Sequence, residues 1–510
     1  MLQIHNTLTG VKEEFQPINQ NKVGMFVCGP TVYDYIHVGN ARTFVFFDIV
    51  GRYLEFKGFE LDYVQNITDI DDKIITRAHT EGVKPEEIAL KYKTAFIDDV
   101  GSLKIVSVNN YALASEHISE IINQIKGLIE KGYAYTAPAL QAKGPDAIEI
   151  KPQSNNETEQ NHDVYFELAR YEKDFPNQYG TLSGQNLEEL KENTRVEMEA
   201  NKLNPRDFTL WKAQNYSYEP TNESPWGLGR PGWHIEDTAI SEKYLGQQYD
   251  IHGGGQDLMF PHHEAEIAQQ QALSGKTPFV KYWMHSGFLI SKTDKMSKSL
   301  GNFNTLRDVM TSLPHHPAET LRLYFLSAHY RSPLAFSAKG AVPASGWGPA
   351  SGGEVLINQA SVAIDRIADF LARITKVSGE ENPALDEILK TCADKFMASM
   401  DDDFNAPSAI ASIFELIRAL NPLIAKNALS PSQAESIKAF FQTTIERVLG
   451  IIPEPKEQSI PSEILELAEQ REQHRLDQDW AKADTIRAKI ESAGFIISDT
   501  PFGPLTTIKN

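Results

Sequence analysis

The order of elements near the start of the chain constrains the fold most. Lys22 to Val27 is a short apolar run fit for a buried strand, and Cys28-Gly29-Pro30 forms a turn after it. A helix is predicted from about Ala41, because apolar residues recur there at helical spacing and Gly58 can end it. A second apolar stretch, Leu61 to Ile67, follows. This order predicts a parallel α/β unit, which binds nucleotides beyond the carboxyl ends of its strands.

The turn after the first predicted strand carries a short signature, Tyr35-Ile36-His37-Val38-Gly39-Asn40. Gly39 lets the backbone approach a flat base closely, and His37 and Asn40 can donate hydrogen bonds to phosphate oxygens at a helix N-terminus. A turn with a solvated histidine is an equally ordinary interpretation of this motif alone.

A second signature, Lys295-Met296-Ser297-Lys298-Ser299, lies past the middle of the chain. Lys295 and Lys298 can neutralise the charge that develops on a leaving pyrophosphate. Alone, this motif is also typical of a solvated surface loop. The order and contexts of the two signatures together favour chemistry on the phosphates of ATP.

A glycine-rich element, His252 to Asp257, is the third candidate. Gly253 and Gly255 can admit a nucleotide against the backbone, and Asp257 can accept hydrogen bonds from ribose hydroxyls. A plain glycine turn is the alternative. We predict ATP contacts at Gly39, Gly253, Gly255, Asp257 and Lys298.

Length and composition limit the class of protein. A chain of 510 residues predicts two to four domains. Two cysteines exclude a disulfide framework and favour a reducing compartment. No apolar run approaches the roughly 18 residues that span a bilayer, and the start lacks the features of a signal peptide. We therefore expect a cytoplasmic protein without a membrane anchor.

Two irregular stretches divide the chain. Residues 137–162 are rich in Pro, Gly, Asn, Gln and Glu, which indicates an exposed insertion without chemistry. Residues 337–353 carry five glycines and two prolines and predict a linker. From Glu354 onward the apolar positions repeat with helical period. The last stretch, from Ser462, indicates a helical pair with a short β tail.

The chain resembles the class I aminoacyl-tRNA synthetases and, within that class, the cysteinyl-tRNA synthetases. The resemblance rests on Met25 to Asp34, Asn66 to Lys73, Arg230 to Glu236 and His252 to Glu266. It implies a Rossmann-type parallel-sheet catalytic domain with an inserted connective region, a helical bundle and a small anticodon-binding module. The implied boundaries are 1–135 with 225–305, 136–224, a stem-contact linker 306–345, 346–452 and 453–510.

The resemblance implies activation of L-cysteine by ATP and magnesium, transfer to tRNA(Cys), and one zinc ion in the amino-acid pocket. The family binds zinc through two Cys, one His and one Glu, which correspond here to Cys28, Asp237, His262 and Glu266. Asp237 replaces the second cysteine, yet aspartate is a competent zinc ligand of the same charge. His262 and Glu266 are four apart and share a helix face, although a structural surface pair has the same spacing.

Two further positions match the lining of the family's cysteine pocket, Thr68 as a polar contact and Trp233 as an aromatic wall. Both residue types are also ordinary in a core. A zinc that coordinates a thiolate rejects the hydroxyl of serine, so no editing domain is needed; shape alone discriminates such near-isosteres by only about 10–200-fold.

The C-terminal stretch carries the predicted tRNA contacts, Arg475, Trp480, Lys482 and Arg487. Basic side chains suit phosphates, and an exposed aromatic can stack on an unpaired base. Acidic residues interleave with the basic ones, so composition alone favours a solvated helical hairpin, and the resemblance is what favours an anticodon module. The net charge of −20 does not exclude this, because local patches matter more. We expect a monomer.

Three other functions remain open at this point. A cysteine ligase that couples activated cysteine to an amino sugar shares the catalytic core but lacks the C-terminal tail. A catalytically silent RNA-binding paralogue is favoured by Asp237 but disfavoured by the intact phosphate-binding signatures. A broader nucleotidylyltransferase has no need of the long helical portion.

Overall fold

The computed structural model describes residues 1–140, 147, 161–185, 201–291, 294–295, 305–313, 315–336, 352–454, 461–500 and 503–508. The strands are β1 Gln3–Asn6, β2 Val11–Glu14, β3 Lys22–Val27, β4 Glu60–Ile67, β5 Asn110–Leu113, β6 Ala134–Pro138, β7 His162–Phe166, β8 Phe208–Ala213, β9 Gly229–Pro231, β10 Tyr249–Gly255, β11 Val280–Ser286, β12 Leu289–Ser291, β13 Asp294–Lys295, β14 Leu334–Ala335, β15 Phe495–Thr500 and β16 Gly503–Ile508. The α-helices are α1 Val38–Phe56, α2 Asp72–Glu81, α3 Pro85–Ser102, α4 Ile118–Glu130, α5 Leu168–Asp174, α6 Trp233–Leu245, α7 Glu264–Ser274, α8 Leu306–Ser312, α9 Pro317–Phe325, α10 Gly352–Ile374, α11 Leu385–Asp401, α12 Ala406–Ala425, α13 Pro431–Phe440, α14 Arg447–Leu449, α15 Ser462–Leu476 and α16 Trp480–Ser492.

A five-stranded parallel sheet in the order β11-β10-β3-β4-β5 forms the centre of the first compact unit. Strand β3 spans Lys22–Val27, the residues of the apolar run that predicted a buried strand. Val27, at the end of β3, pairs with Gly253 on one side and Gln65 on the other. The carboxyl ends of three strands therefore meet beside Cys28. The expected parallel α/β sheet is confirmed.

The first compact unit comprises residues 1–362, 394–411 and 445–451. Its second sheet is antiparallel, in the order β6-β7-β8-β9. These four strands follow β5 in the chain and precede α6. The strands β7 and β8 lie within the expected inserted region 136–224, whereas β6 begins at Ala134 and β9 spans Gly229–Pro231. Most of the Pro- and Gly-rich segment 137–162 lies outside the described residues, and so do residues 337–351 of the predicted linker.

Charged side chains form a buried cluster around Asp48, a residue of α1. Asp48 accepts hydrogen bonds from Val106 N–H, from Ser107 N–H and Oγ, from Arg52 Nε and from Arg322 Nη2, at 2.7–3.1 Å. Asp48 and Arg322 are fully buried. Burial alone would raise the pKa of Asp48, but the charges of Arg322 and Arg52 hold it below its ordinary value. We call these residues the Asp48 cluster.

The second compact unit comprises residues 363–393, 412–444 and 452–510. It contains much of the helical portion that the apolar periodicity predicted, while residues 352–362, 394–411 and 445–451 of that portion belong to the first unit. Phe370 packs against Phe441 in the core of the second unit. Its last part is the expected helical pair, α15 and α16, followed by the β15–β16 hairpin. Ile464, Ala468, Ile486, Ile490 and Ile497 form the small core of that part.

Among the described residues, α12 alone is long and apolar enough to cross a membrane, a feature that the sequence analysis did not anticipate. Its buried residues, Ile413, Leu416, Leu420 and Ile424, recur at helical spacing, while Arg418 is exposed. This is the pattern of an amphipathic helix that packs one face against a core.

Candidate active site

A cavity of about 290 Å³ opens at the carboxyl end of the parallel sheet. One wall comes from the start of α1, with His37, Gly39 and Asn40. The segment 286–289, which joins β11 to β12, forms another part of the lining. Cys28 and Trp233 also line the cavity. The structure therefore brings the first signature and two residues of the predicted amino-acid pocket to one cavity.

The first signature folds into a capping box at the start of α1. His37 Nδ1 accepts a hydrogen bond from Asn40 N–H at 3.1 Å, and Asn40 Oδ1 accepts one from His37 N–H at 3.4 Å. The helix begins at Val38 rather than near Ala41 because this cap satisfies its first donors. A Cβ on Gly39 would lie 2.8 Å from the His37 ring, so glycine makes room for the imidazole.

The second signature lies mostly outside the described residues. The backbone of Lys295 forms the short strand β13, which pairs with β12 at Ile290. Lys298 falls among residues 296–304, which the structure does not describe. The predicted roles of both lysines therefore stay predictions.

The glycine-rich element divides between two environments. Gly255 and Asp257 line the cavity, as an ATP-binding role requires. Gly253 is buried and does not line it, and a Cβ there would come within 2.2 Å of Phe47. The structure thus gives Gly253 a packing role against α1.

Potential metal ligands converge beside the cavity. One ligand atom from each of Cys28, His262, His263 and Glu266 lies within 4.8 Å of the others. Asp237 Oδ2 lies 3.1 Å from His262 Nε2, which is also 3.0 Å from Glu266 Oε1. We call these five residues the donor cluster. All five are buried. Cys28, His262 and Glu266 of the predicted set belong to the four residues within 4.8 Å, where His263 takes the fourth place, and Asp237 contacts this group at His262.

The electrostatics of the donor cluster suit a cation. Burial raises the pKa of the Cys28 thiol well above its usual range, and the negative charges of Asp237 and Glu266 raise it further. Burial and Asp237 likewise raise the pKa of Glu266. His262 Nε2 lies 3.0 Å from Glu266 Oε1 and His252 Nε2 lies 3.4 Å from Oε2, but neither contact forms a hydrogen bond, so both oxygens lack one among the described residues. Unpaired buried carboxylate oxygens are costly, and a bound metal ion would satisfy them. The donors present therefore fit the zinc ion that the resemblance implies.

The predicted pocket residues Thr68 and Trp233 flank the donor cluster differently. Trp233 is 39% exposed and stacks on the His262 ring with centroids 4.3 Å apart. Thr68 is buried and donates from Oγ1 to Glu236 Oε2 at 2.9 Å, and it does not line the cavity. Trp233 therefore lines the cavity, and Thr68 hydrogen-bonds to Glu236, the residue before Asp237. The predicted roles of both residues in binding cysteine stay predictions.

Two histidines in this region were missed by the sequence analysis. His263 Nε2 lies 3.1 Å from Cys28 Sγ, and His252 Nε2 lies 3.4 Å from the same sulfur. Burial lowers the pKa of both imidazoles well below the usual value, so both are neutral. The doublet His262-His263 was the available signal, and the pairing of β10 with β3 is what brings His252 to Cys28.

The predicted tRNA contacts lie on the C-terminal helical pair. Trp480 is 59% exposed at the start of α16. Each of the three cations forms an ion pair with an acidic side chain of its own helix or cap: Arg475 with Glu472, Lys482 with Asp479, and Arg487 with Glu491, at 2.8–3.1 Å. The aromatic side chain is therefore the feature most available to a partner.

Comparison with known proteins agrees with this architecture. A family model described as tRNA synthetases class I (C) catalytic domain matches residues 14–344, and a DALR domain model matches residues 395–453. The solved methionyl-tRNA synthetase of Mycobacterium tuberculosis in complex with methionyl-adenylate shares the fold, with a TM-score of 0.55 and 14% identity over 84% of this chain and 88% of that one. The fold and the cavity define a class I aminoacyl-tRNA synthetase.

Relatives specify the family within that class. A cysteine–tRNA ligase of Carboxydothermus hydrogenoformans is 43% identical over 98% of this chain and 99% of that protein. Another, of Clostridioides difficile, is 40% identical over 98% and 99%. The chain belongs to the cysteine–tRNA ligase family, as the resemblance of its motifs implied.

Proposed function

We propose that the protein activates L-cysteine with ATP and transfers the cysteinyl group to the 3′ end of tRNA(Cys). One observation carries this proposal: Cys28, with the donor cluster behind it, lines the same cavity as His37, Gly39 and Asn40. A thiol-binding site and a phosphate-binding helix start thus lie within reach of one small substrate pair. The carboxylate of cysteine attacks the α-phosphate, and pyrophosphate leaves.

Cys28, Asp237, His262 and Glu266 would hold one zinc ion. We choose Asp237 over His263 as the fourth ligand because Asp237 Oδ2 and Glu266 Oε1 both lie close to His262 Nε2. When bound, the ion supplies a Lewis acid that selects a thiolate over a hydroxyl. Trp233 covers His262 and limits the size of the amino acid.

The start of α1 would bind ATP with magnesium. His37 and Asn40 stand at the N-terminus of a 19-residue helix, where N–H groups and the helix dipole favour phosphate. Gly255 and Asp257 line the same cavity, and Asp257 would accept hydrogen bonds from the ribose hydroxyls. Lys295 and Lys298 would stabilise the departing pyrophosphate.

The C-terminal module would read the tRNA. Trp480 can stack on an unpaired base, and Arg475, Lys482 and Arg487 can exchange their intrahelical ion pairs for phosphates. The alternative amino-sugar ligase needs no such module, and the match to cysteine–tRNA ligases along 98% of the chain supports the tRNA substrate. We place this monomeric enzyme in the cytoplasm.

ATP–pyrophosphate exchange with each amino acid in turn, on protein of measured metal content, tests the proposal. We expect exchange with cysteine alone, lost on chelation and regained with zinc. A folded protein that exchanges with no amino acid would be the silent paralogue. Exchange with cysteine but no charging of tRNA(Cys) would favour the amino-sugar ligase.

The tRNA arm needs a separate variant. Trp480→Ala should raise KM for tRNA, because loss of one stacked base costs about 1–3 kcal/mol, and should leave ATP–pyrophosphate exchange unchanged. Leu90→Ala removes a similarly exposed apolar side chain from the first unit and is the matched control. Equal KM values for tRNA in both variants would remove Trp480 from the interface.

A further inference from the structure

Arg42 is a buried cation of α1 whose partners are backbone carbonyls. Its guanidinium donates at 2.6–3.4 Å to five carbonyl oxygens, those of Gly287, Phe288, His329, Tyr330 and Ser332. These acceptors belong to two segments, one immediately before β12 and one shortly before β14. The two strands pair in parallel, with Leu289 opposite Leu334. Arg42 therefore ties both segments to α1.

The first of these segments is a wall of the active-site cavity. Residues 286–289 line the cavity together with His37, Gly39 and Asn40, which stand at the start of the helix that carries Arg42. A second link joins the same two walls, because Thr43 Oγ1 and Ser286 Oγ lie 2.7 Å apart. The position of the segment 286–289 relative to the start of α1 is thus set by side chains of α1.

Arg42 is held by backbone carbonyl groups rather than by an ion pair with a carboxylate. No carboxylate among the described residues bonds to it, although it is buried. Burial lowers its pKa to about 10, so it stays charged at neutral pH. Burying a cation without a counter-charge is costly, and five oriented carbonyl dipoles offset that cost here. A planar fork with five N–H donors can serve two segments at once, and an ammonium group cannot.

We propose that Arg42 is a positioning residue for ATP: it holds the 286–289 wall at the separation from His37 and Asn40 that the nucleotide requires. The same contact positions β12, against which the backbone of Lys295 pairs in β13. The proposal rests on the proposed function, since it concerns the ATP of the activation step. The donor cluster makes no contact with Arg42 and has no part in positioning ATP, so we expect cysteine binding to be independent of Arg42.

Steady-state ATP–pyrophosphate exchange on Arg42→Lys, with Arg52→Lys as matched control, tests the assignment. Arg52 lies on the same helix and also donates to carbonyls, those of Lys104, Glu446 and Arg447, but none of these acceptor residues lines the cavity, whereas the Arg42 acceptors Gly287 and Phe288 do. We expect Arg42→Lys to raise KM for ATP by about tenfold and to lower kcat by about 10–100-fold, the cost of a misplacement near 1 Å. KM for cysteine should stay within twofold. Arg52→Lys should lower Tm and leave both KM values unchanged.

Two outcomes would overturn the assignment: wild-type KM for ATP and kcat in folded Arg42→Lys, or equal kinetic changes in the two variants. If Arg42→Lys does not fold, Gly287→Ala probes the same wall with Arg42 intact. Its Cβ would meet Arg331 O and Ser332 O at 2.7 Å and displace the wall. Wild-type KM for ATP in folded Gly287→Ala would then refute the proposal. Absence of cysteine-dependent exchange in the wild-type protein would instead refute the proposed function.

Discussion

The Asp48 cluster and the donor cluster are both buried groups of charged side chains in one compact unit, yet they are built in opposite ways. Asp48 accepts hydrogen bonds at both oxygens, and its pKa lies below the ordinary value. Glu266 accepts none from the described residues, and its pKa is raised. In the Asp48 cluster, the negative charge is balanced by arginines of the same cluster, and such a group stabilises the fold. A cluster with unmatched oxygens requires a cation from outside.

The largest effect should come from Glu266→Gln. The change removes one negative charge from the donor cluster, so we expect the protein to lose its metal ion. Loss of a residue that only supports a metal ligand costs roughly 10–100-fold in affinity or activity. Because Glu266 is a proposed ligand itself, cysteine-dependent exchange should fall by more than that. Thermal melting of the metal-free variant should match or exceed that of the metal-free wild type, because an unpaired buried carboxylate is gone. A clear drop in metal-free Tm would show that Glu266 is a structural residue like Asp48.

Asp48→Asn should produce the reverse pattern. It leaves Arg322 buried without its counter-charge, which costs about 3–5 kcal/mol of unfolding free energy. Urea denaturation measures the loss, and exchange activity per folded molecule and metal content should remain those of the wild type. Since the folded-state pKa of Asp48 is depressed, this stabilisation is present above the unfolded pKa near 3.9 and is lost as pH falls through the folded value. A variant with full stability and low metal content would invert the comparison.

Asp237 decides whether the departure from the family pattern preserves the site. Asp237→Asn should weaken zinc affinity by at least the roughly 10–100-fold that loss of an outer partner of a metal ligand costs, because one negative charge leaves the site while the amide oxygen can still accept from Asn66. Asp237→Cys restores the family residue and should retain the metal. Competition with a chromophoric chelator gives both affinities. Unchanged affinity in Asp237→Asn would assign the fourth position to His263.

The smallest effect concerns pH. In the metal-free protein the pKa of Cys28 is raised, so the thiol must lose its proton when a metal binds. Zinc affinity should therefore rise with pH, by about tenfold per unit for each proton released. Chelator competition between pH 6 and 8 measures the slope. A flat profile would mean that Cys28 does not ligate the metal as a thiolate.

Local patterns predicted the frame of the molecule well. The strand Lys22–Val27 was predicted to the residue, and the expected helix was found three residues longer at its start because His37 caps it. The cysteine–tRNA ligase family was also correctly inferred from motifs. Contacts made through the sheet were not predictable: His252 reaches Cys28 only because β10 pairs with β3, and Gly253 faces Phe47 for the same reason. Sequence spacing says nothing of which strands become neighbours.

The capping box of α1 determines which ring nitrogen of His37 carries the proton. Because His37 Nδ1 accepts the Asn40 N–H, the proton of the neutral ring must sit on Nε2. A second proton would occupy the acceptor and open the first turn of the helix. The signature therefore selects one tautomer, in which His37 can donate a hydrogen bond from Nε2 to a phosphate oxygen while Nδ1 caps the helix.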